Sequence, residues 1–277
     1  MKERIFGVVL TLAFCTGLLA EAYENQEVID RPKSQSWLIF LDFNIDVFHD
    51  LKVNSYSVSG STFGPDPEAP FRTDNDNDIG YQSNSFLLGV NQIFLDKGDY
   101  GTLSWYAGVG TSNVSLDLFP SGTIGTRGWI LEGGVQGDIM KFGQTLDKGI
   151  EIDVSAAYIF TDGSSNGAVD EEYDLGVWVV NAAAYLEAET NLIDTSDTFV
   201  YVGAQISYAF GSLNLQLDAG AGSGEGDYSI TNQSMNMLGV IVGTKFYWDS
   251  DRTTADIRLV GALDGSYSVG LRIMQTF

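Results

Sequence analysis

Two groups of residues have types and spacings that could support chemistry. His49, the only histidine of the chain, is followed directly by Asp50, and a His–Asp pair can act as a general base in hydrolysis. Asp74, Asp76 and Asp78 form a D-x-D-x-D run, which is how many calcium-binding loops begin. Each pattern needs further ligands or catalytic partners before it can work.

The sequence does not complete either pattern. The sixth position of the calcium pattern is Ile79 instead of glycine, and the twelfth, which should be an acid, is Ser85. We therefore expect a solvated acidic loop that binds calcium weakly or not at all. No serine motif or second acidic pair accompanies His49, so we assign no catalytic residue and expect no enzymatic activity. Without a phosphate-binding glycine motif or a Cys/His metal spacing, we also expect no cofactor.

The charge of the chain limits its partners. The 277 residues include 37 Asp and Glu against 14 Lys and Arg, which gives a net charge of −23. Nucleic acid and anionic lipid surfaces would be repelled, so we exclude nucleic acid as a partner. Divalent cations at the acidic loops and basic ligands remain compatible with this charge.

The first 22 residues have the pattern of a secretory signal peptide. Lys2 and Arg4 precede an apolar run over residues 5–20, and a small-x-small tripeptide ends at Ala22. The run is shorter than the roughly 20 residues of a membrane-spanning helix, which favours cleavage after Ala22 over a permanent anchor. The cleaved segment removes two bases and two acids, so the net charge stays at −23.

Cleavage would also remove the only cysteine, Cys15. A mature chain without cysteine forms no disulfide, so packing and hydrogen bonds alone must hold it together. Residues 23–36 are polar, contain Pro32 and show no periodicity, so we interpret them as a short periplasmic lead-in.

From Trp37 onwards, apolar and polar residues alternate with a period of two, which is typical of half-buried strands. Ten segments share this pattern. They are 37–47, 82–95, 101–111, 128–140, 150–161, 173–189, 199–210, 236–248, 254–263 and 266–277. Each is near or above the ~9–11 residues that a tilted membrane strand requires. An even number of strands returns both chain ends to the same side.

The connections alternate in length. Long ones at 49–80, 113–127, 162–172 and 211–233 alternate with short ones at 96–99, 143–149, 190–198 and 249–252. A soluble β-sandwich gives no reason for such asymmetry, whereas a membrane barrel has long external loops and short periplasmic turns.

The apolar face of these strands carries almost no charge, so we expect it to point outwards to lipid. Aromatic residues lie near the strand ends of this face at two levels, which predicts two interfacial girdles. One level holds Trp37, Phe94, Phe246, Trp248 and Phe277, and the other holds Phe86, Trp129, Phe160, Trp178, Phe210 and Tyr267.

The last strand carries a resemblance to a known family. Residues 266–277 read S-Y-S-V-G-L-R-I-M-Q-T-F, alternate in polarity and end on an aromatic residue. This resembles the closing strand of Gram-negative outer-membrane β-barrel proteins, in which the terminal aromatic residue, here Phe277, serves as the assembly signal. The resemblance implies an all-β, transmembrane, antiparallel up-and-down barrel of about 10 strands, within a range of 8–12, over residues 37–277.

The resemblance also implies a location and partners. The exported protein would reside in the outer membrane, contact its lipid and lipopolysaccharide, and be inserted by the barrel-assembly machinery. The oligomeric state stays open. The chain resembles omptin-type outer-membrane proteases in strand number, but only His49 and Asp50 match their catalytic residues. It resembles autotransporter translocators in size and in Phe277, yet the first strand begins about fifteen residues after the predicted cleavage site, which leaves no passenger.

The opposite face of the strands should line the lumen, and the phase of the alternation identifies its charged residues. They are Asp42, Asp46, Glu132, Asp138, Glu151, Asp153, Glu187, Glu189, Lys245, Asp256, Arg258 and Arg272. In a ring of about ten strands, the bases of the last three strands should face the acids of the fourth and fifth.

Two functions are consistent with such a lumen. Nine acids cannot all pair with three bases, and unpaired buried carboxylates are costly without water. A narrow, hydrated, porin-like passage that prefers cations is therefore the favoured function. The alternative is a closed structural or adhesive barrel whose acidic loops bind a surface partner or divalent cations. A hydrolase is the least favoured.

Deleting Phe277 should impair assembly, because the terminal aromatic residue matches the assembly signal of the family. Heat-modifiable gel mobility would detect the closed barrel, since a folded barrel and an unfolded chain migrate differently. A mainly helical far-UV spectrum, or a native protein that stays soluble without detergent, would contradict the barrel prediction.

Overall fold

The computed structural model describes residues 37–60, 78–96, 101–118, 122–142, 148–166, 170–190, 197–218, 223–232, 238–248, 253–262 and 265–276. The predicted signal peptide and lead-in, together with Asp74, Asp76 and Phe277, lie outside these ranges. In the described part of the chain, no helix is long and apolar enough to cross a membrane.

The described residues form eleven antiparallel β-strands. They are β1 (Trp37–Gly60), β2 (Asp78–Asp96), β3 (Thr102–Leu118), β4 (Gly122–Phe142), β5 (Lys148–Asn166), β6 (Asp170–Thr190), β7 (Asp197–Asp218), β8 (Ser223–Asn232), β9 (Leu238–Trp248), β10 (Thr253–Ala262) and β11 (Tyr267–Thr276). β1 to β7 pair in sequence order, and β11 pairs with β1, so the sheet closes into a barrel.

β8 and β9 are two halves of one interrupted strand. Both pair antiparallel with β7, β9 along residues 197–206 and β8 along residues 210–218, so they run in the same direction. Counting them together gives a barrel of ten strands. The prediction of an all-β, up-and-down barrel of about ten strands is therefore confirmed.

The barrel has two circumferences. At the end that holds the paired residues Leu38 and Thr276, the ring includes β9, β10 and β11 and has ten strands. Further along, β8 bonds directly to β1, from Leu51 opposite Asn232 to Gly60 opposite Gly224. The short hairpin of β10 and β11 does not reach this level, so eight strands remain.

We call the eight-stranded part the head and the ten-stranded part the membrane section. The head comprises 51–60 of β1, 78–82 of β2, 113–118 of β3, 122–128 of β4, 161–166 of β5, 170–176 of β6, 210–218 of β7 and all of β8.

The polarity of the two barrel faces reverses between these parts, as β6 illustrates. In the membrane section, Val180 and Leu186 point outwards and are 38% and 53% exposed, whereas Glu187 points into the lumen and is buried. In the head, Asp174 is on the outer face and exposed, whereas Leu175 points inwards and is 0% exposed. The outer face of one continuous strand thus changes from lipid-compatible to water-compatible.

The other strands of the head follow the same rule. Its outer face exposes Ser57, Ser59, Asn113, Arg127, Asp162, Ser164, Glu172, Asp174, Ser212, Gln216, Asp218, Glu225 and Asp227. Its interior is a buried apolar cluster that includes Tyr81, Val114, Leu116, Tyr173, Leu175, Leu213, Leu215, Tyr228 and Ile230. An eight-stranded ring is just narrow enough for side chains to fill it, so the head is built like a small water-soluble barrel.

The reversal explains why the predicted boundaries of the four long connections were wrong. Large parts of 49–80, 113–127, 162–172 and 211–233 continue as strand in the head. On β7 the apolar residues Ile206 and Phe210 lie at even positions, whereas the buried Leu213 and Leu215 lie at odd positions. The apolar residues therefore change from even to odd positions where water replaces lipid outside the strand. When the sequence is searched for one continuous alternation, this shift by one residue looks like the end of a strand and the start of a loop.

Single cysteines on β6 should report the reversal directly, because the predicted mature chain has no cysteine. In lipid vesicles, Asp174→Cys should react rapidly with a membrane-impermeant maleimide, since the outer face of the head meets water. Val180→Cys, on the same face of the same strand, should be protected by lipid. Leu175→Cys should be protected by the core of the head. Equal labelling of Asp174→Cys and Val180→Cys would contradict the boundary between the two parts.

Candidate functional site

The interior of the membrane section is crossed by three charged networks, and the first is centred on Arg272 of β11. Its Nη2 and Nε lie 2.6 and 2.8 Å from Oδ2 of Asp42 on the neighbouring β1. Nη2 also lies 3.3 Å from Oε1 of Glu132, and Nη1 donates to Oε1 of Gln136 at 3.1 Å. Because β4 stands four strands away from β11 around the ring, this network spans the lumen.

Aromatic rings hold the same guanidinium from its flat side. Its carbon lies 5.0 Å from the ring centroid of Phe40 and 4.6 Å from that of Tyr106, within range for cation–π attraction. Gly89 and Gly108 give the Phe40 ring its space, since a Cβ at Gly89 would come within 2.3 Å of that ring. Carboxylates and aromatic faces thus fix the position of Arg272.

The second network joins β10 to the opposite wall. Arg258 Nη1 lies 2.9 Å from Oδ2 of Asp153 on β5, and Nη2 lies 3.4 Å from Oδ2 of Asp256. Tyrosine hydroxyls donate a further hydrogen bond to each of these acids, from Tyr106 to Asp153 at 3.2 Å and from Tyr201 to Asp256 at 2.7 Å. These hydrogen bonds satisfy carboxylate oxygens that one guanidinium cannot reach.

The third network surrounds Lys245 of β9. Its ammonium group forms ion pairs with Glu151 on β5 and, at 3.4 Å, with Glu187 on β6. It also lies 5.2 Å from the ring centroid of Tyr185. All of these groups are buried, so the lysine is compensated by two acids and an aromatic face.

One acid extends the third network into a cluster that could hold a cation. Carboxylate oxygens of Asp138, Glu151 and Glu187 lie within 4.8 Å of one another. Lys245 already supplies positive charge to two of these acids. The arrangement is therefore that of a buried ion-pair network, and Lys245 stands where a metal would have to compete.

The structure assigns a position to each charged residue that the sequence places in the lumen. Buried ones are Asp42, Glu151, Asp153, Glu187, Lys245, Asp256 and Arg272, and half-buried ones are Asp46, Glu132, Asp138 and Arg258. Glu189, near the end of β6 in the membrane section, is exposed. The networks join six of the acids to the three bases and bring β4, β5 and β6 together with β9, β10 and β11.

The aromatic residues that contact the charged networks in the lumen were not predicted from the sequence. Phe40, Tyr106, Tyr185 and Tyr201 all touch a network base or acid. The sequence did contain a signal for these aromatic residues, because each lies at an even spacing from polar residues of its own strand. Phe40, for example, lies two positions before Asp42. An aromatic residue on the polar face of a barrel strand indicates contact across the lumen.

Two predicted features cannot be placed as sites. His49 lies within β1 and Asp78 begins β2, but their side chains are outside the described part of the structure, as are Asp74 and Asp76 altogether. The weak calcium pattern of the three aspartates and the role of His49 therefore stay predictions.

A polar cavity of about 120 Å³ lies in the lumen beside the first two networks. Uncharged polar groups form much of its wall, namely Asn44, Ser85, Ser155, Asn181, Gln205, Ser207 and Ser268. Ile130, Ile159 and Val179 also line it, and they belong to or pack on the apolar cluster that continues into the head. The described interior thus passes from charged through polar to apolar towards the head.

No protein-family model matches the chain, and no curated protein does. Solved structures with a similar fold include the translocator domain of the autotransporter NalP from Neisseria meningitidis, at 10% identity and a TM-score of 0.44, covering 98% of this chain and 97% of that chain. The transport unit of AIDA-I from Escherichia coli gives 9% identity and a TM-score of 0.43, covering 94% and 96%.

A solved structure described as a transporter is also similar, with a lower TM-score. The toluene transporter TodX from Pseudomonas putida gives 10% identity and a TM-score of 0.34, covering 89% of this chain and 90% of that chain. Similarities this low say nothing about function. The closed ten-stranded ring, its apolar outer face and its charged interior show that the chain is an integral membrane β-barrel.

Proposed function

We propose that the protein is a closed outer-membrane barrel that displays an acidic, water-soluble head on the cell surface. The observation that carries this proposal is the buried, packed apolar interior of the head. The proposal assigns no catalytic step to the chain. Outer-membrane lipid and lipopolysaccharide would contact the apolar face of the membrane section, and the barrel-assembly machinery would recognise the terminal strand.

The head closes the axial route through the barrel. Tyr81, Tyr173 and Tyr228 are among its largest side chains and are at most 2% exposed, with leucine and isoleucine side chains packed around them. Interiors packed in this way have the density of organic crystals and leave no space for hydrated ions. An ion that entered the lumen from the periplasm would therefore meet an apolar barrier instead of an exit.

The outer face of the head offers a surface for a cationic partner. Asp162 of β5 lies directly opposite Asp174 of β6, and Asn214 of β7 separates Asp174 from Asp227 of β8. Like charges opposite each other on adjacent strands are destabilising. Arg127 of β4 lies opposite Asp162 on its other side, so it compensates the negative charge only at the edge of this row. Divalent cations or a basic partner would relieve the repulsion, in keeping with an adhesive role.

A second candidate function is the narrow, cation-preferring passage. The polar cavity favours it, since five acids and two arginines line this space. Such a passage would have to leave the lumen beside the head, because the head itself is filled. The cavity wall includes Ala262 and Tyr267, where the β10–β11 hairpin ends below the head.

Planar-bilayer recording tests the two candidates against each other. The wild-type protein should show no steady conductance, and Arg258→Ala combined with Arg272→Ala should stay silent because the head remains sealed. Adding Tyr81→Ala, Tyr173→Ala and Tyr228→Ala should produce conductance. A wild-type current that prefers cations, rises in Arg272→Ala and loses selectivity in Glu151→Gln would overturn closure and establish the passage.

The first network should matter for stability, whichever function holds. Arg272→Met leaves Asp42 and Glu132 without their base, and breaking a buried ion pair in this way costs about 3–5 kcal/mol. Urea unfolding in lipid vesicles, followed by tryptophan fluorescence, measures the loss. The control Arg127→Met removes an exposed arginine of the head and should change the free energy of unfolding by less than about 0.5 kcal/mol. Equal losses in the two variants would contradict the network.

A further inference from the structure

The polar cavity of the membrane section has a charge imbalance at one point. Its wall includes Asp42, Glu132, Asp153 and Asp256, and each of these acids pairs with Arg258 or Arg272. The fifth acid of the wall is Asp46 of β1. Among the described residues, no ion pair involves Asp46.

The surroundings of Asp46 are hydroxyl groups. Ser83 of β2 donates to its Oδ2 at 3.2 Å, and Ser268 of β11 is its partner in the strand register. Ser85 and Asn44 line the cavity beside it. A half-buried carboxylate held by serines, with open space in front of it, keeps acceptor capacity for a donor that enters the cavity.

The remaining lining favours an organic cation over a metal ion. Calcium requires six to eight oxygen ligands and usually several carboxylates, but four of the five acids here are engaged by arginines. Apolar side chains of Ile130, Ile159 and Val179 form another side of the cavity. A ligand with an ammonium group and a short hydrocarbon chain would satisfy both kinds of surface.

We propose that this cavity is a binding site for small alkylammonium ions, with Asp46 receiving the ammonium group and the apolar wall receiving the hydrocarbon chain. A volume of about 120 Å³ is close to the ~150 Å³ of a protein cavity that holds benzene, so it accommodates a ligand of a few heavy atoms. The cavity reaches the hairpin end at Ala262, Ser266 and Tyr267, so the ligand would enter beside the head. Binding requires no passage through the barrel and is independent of the closed-barrel proposal.

Titration calorimetry with n-butylammonium on the full-length protein in lipid nanodiscs tests the site. The wild-type protein should bind n-butylammonium and should not bind n-butanol, which has the same chain but no charge. Asp46→Asn is nearly isosteric and should weaken binding about tenfold or more, because it removes a charge-assisted hydrogen bond. Ala157→Met would place a flexible side chain in the cavity and should weaken binding without a change in charge.

The matched control is Glu189→Gln, which removes one negative charge from an exposed residue near the end of β6, outside the cavity wall. Its affinity for n-butylammonium should equal that of the wild-type protein. Equal loss in Glu189→Gln and Asp46→Asn would show general charge attraction and overturn the site. Absence of wild-type binding, or full binding by Asp46→Asn, would overturn it as well. Heat-modifiable mobility of every variant shows that the barrel is folded in each titration.

Discussion

The structure depends on one constraint, which is that every backbone N–H and C=O group in the hydrocarbon layer must find a partner within the protein. A closed ring of strands meets this requirement because it has no free edge. Here the ring closes twice. In the membrane section β11 bonds to β1, whereas in the head β8 bonds to β7 on one side and to β1 on the other. The β10–β11 hairpin can therefore be short, since β8 and β1 close the barrel beyond the end of the hairpin that lies nearest the head.

The change in circumference decides what can fill the interior. Ten strands enclose a space that long side chains must span, and arginine, lysine and tyrosine are long enough to do so. Arg272 reaches Glu132 and Arg258 reaches Asp153, each from four strands away. Eight strands enclose less space, which leucine, isoleucine and tyrosine fill. The membrane section thus has a charged interior and the head an apolar one, because the two rings differ in radius and because lipid surrounds the first and water the second.

The charged networks also show how buried charge is tolerated. A carboxylate without a partner would be too costly in this interior, so each base serves two acids and tyrosine hydroxyls supply the remaining hydrogen bonds. Asp46 departs from this rule, since serine hydroxyls surround it next to open space. Ion pairs consequently hold Arg272 and Arg258 in place, and open space remains next to Asp46.

The sequence by itself determined the fold class and the orientation of the membrane strands, because side chains alternate strictly along a strand and only one face can be apolar against lipid. Leu41 and Asp42 could be assigned to opposite faces from the period alone. The tertiary structure decided the rest. Which acid meets Arg272 depends on the stagger and radius of the closed ring, which no local pattern encodes. The head could not be recognised from the sequence, because its strands alternate polar and apolar residues with the same period of two as the membrane strands. The period does not reveal whether apolar residues such as Val180 and Leu213, or polar ones such as Asp174, lie on the outer face, since this depends on whether lipid or water surrounds the strand.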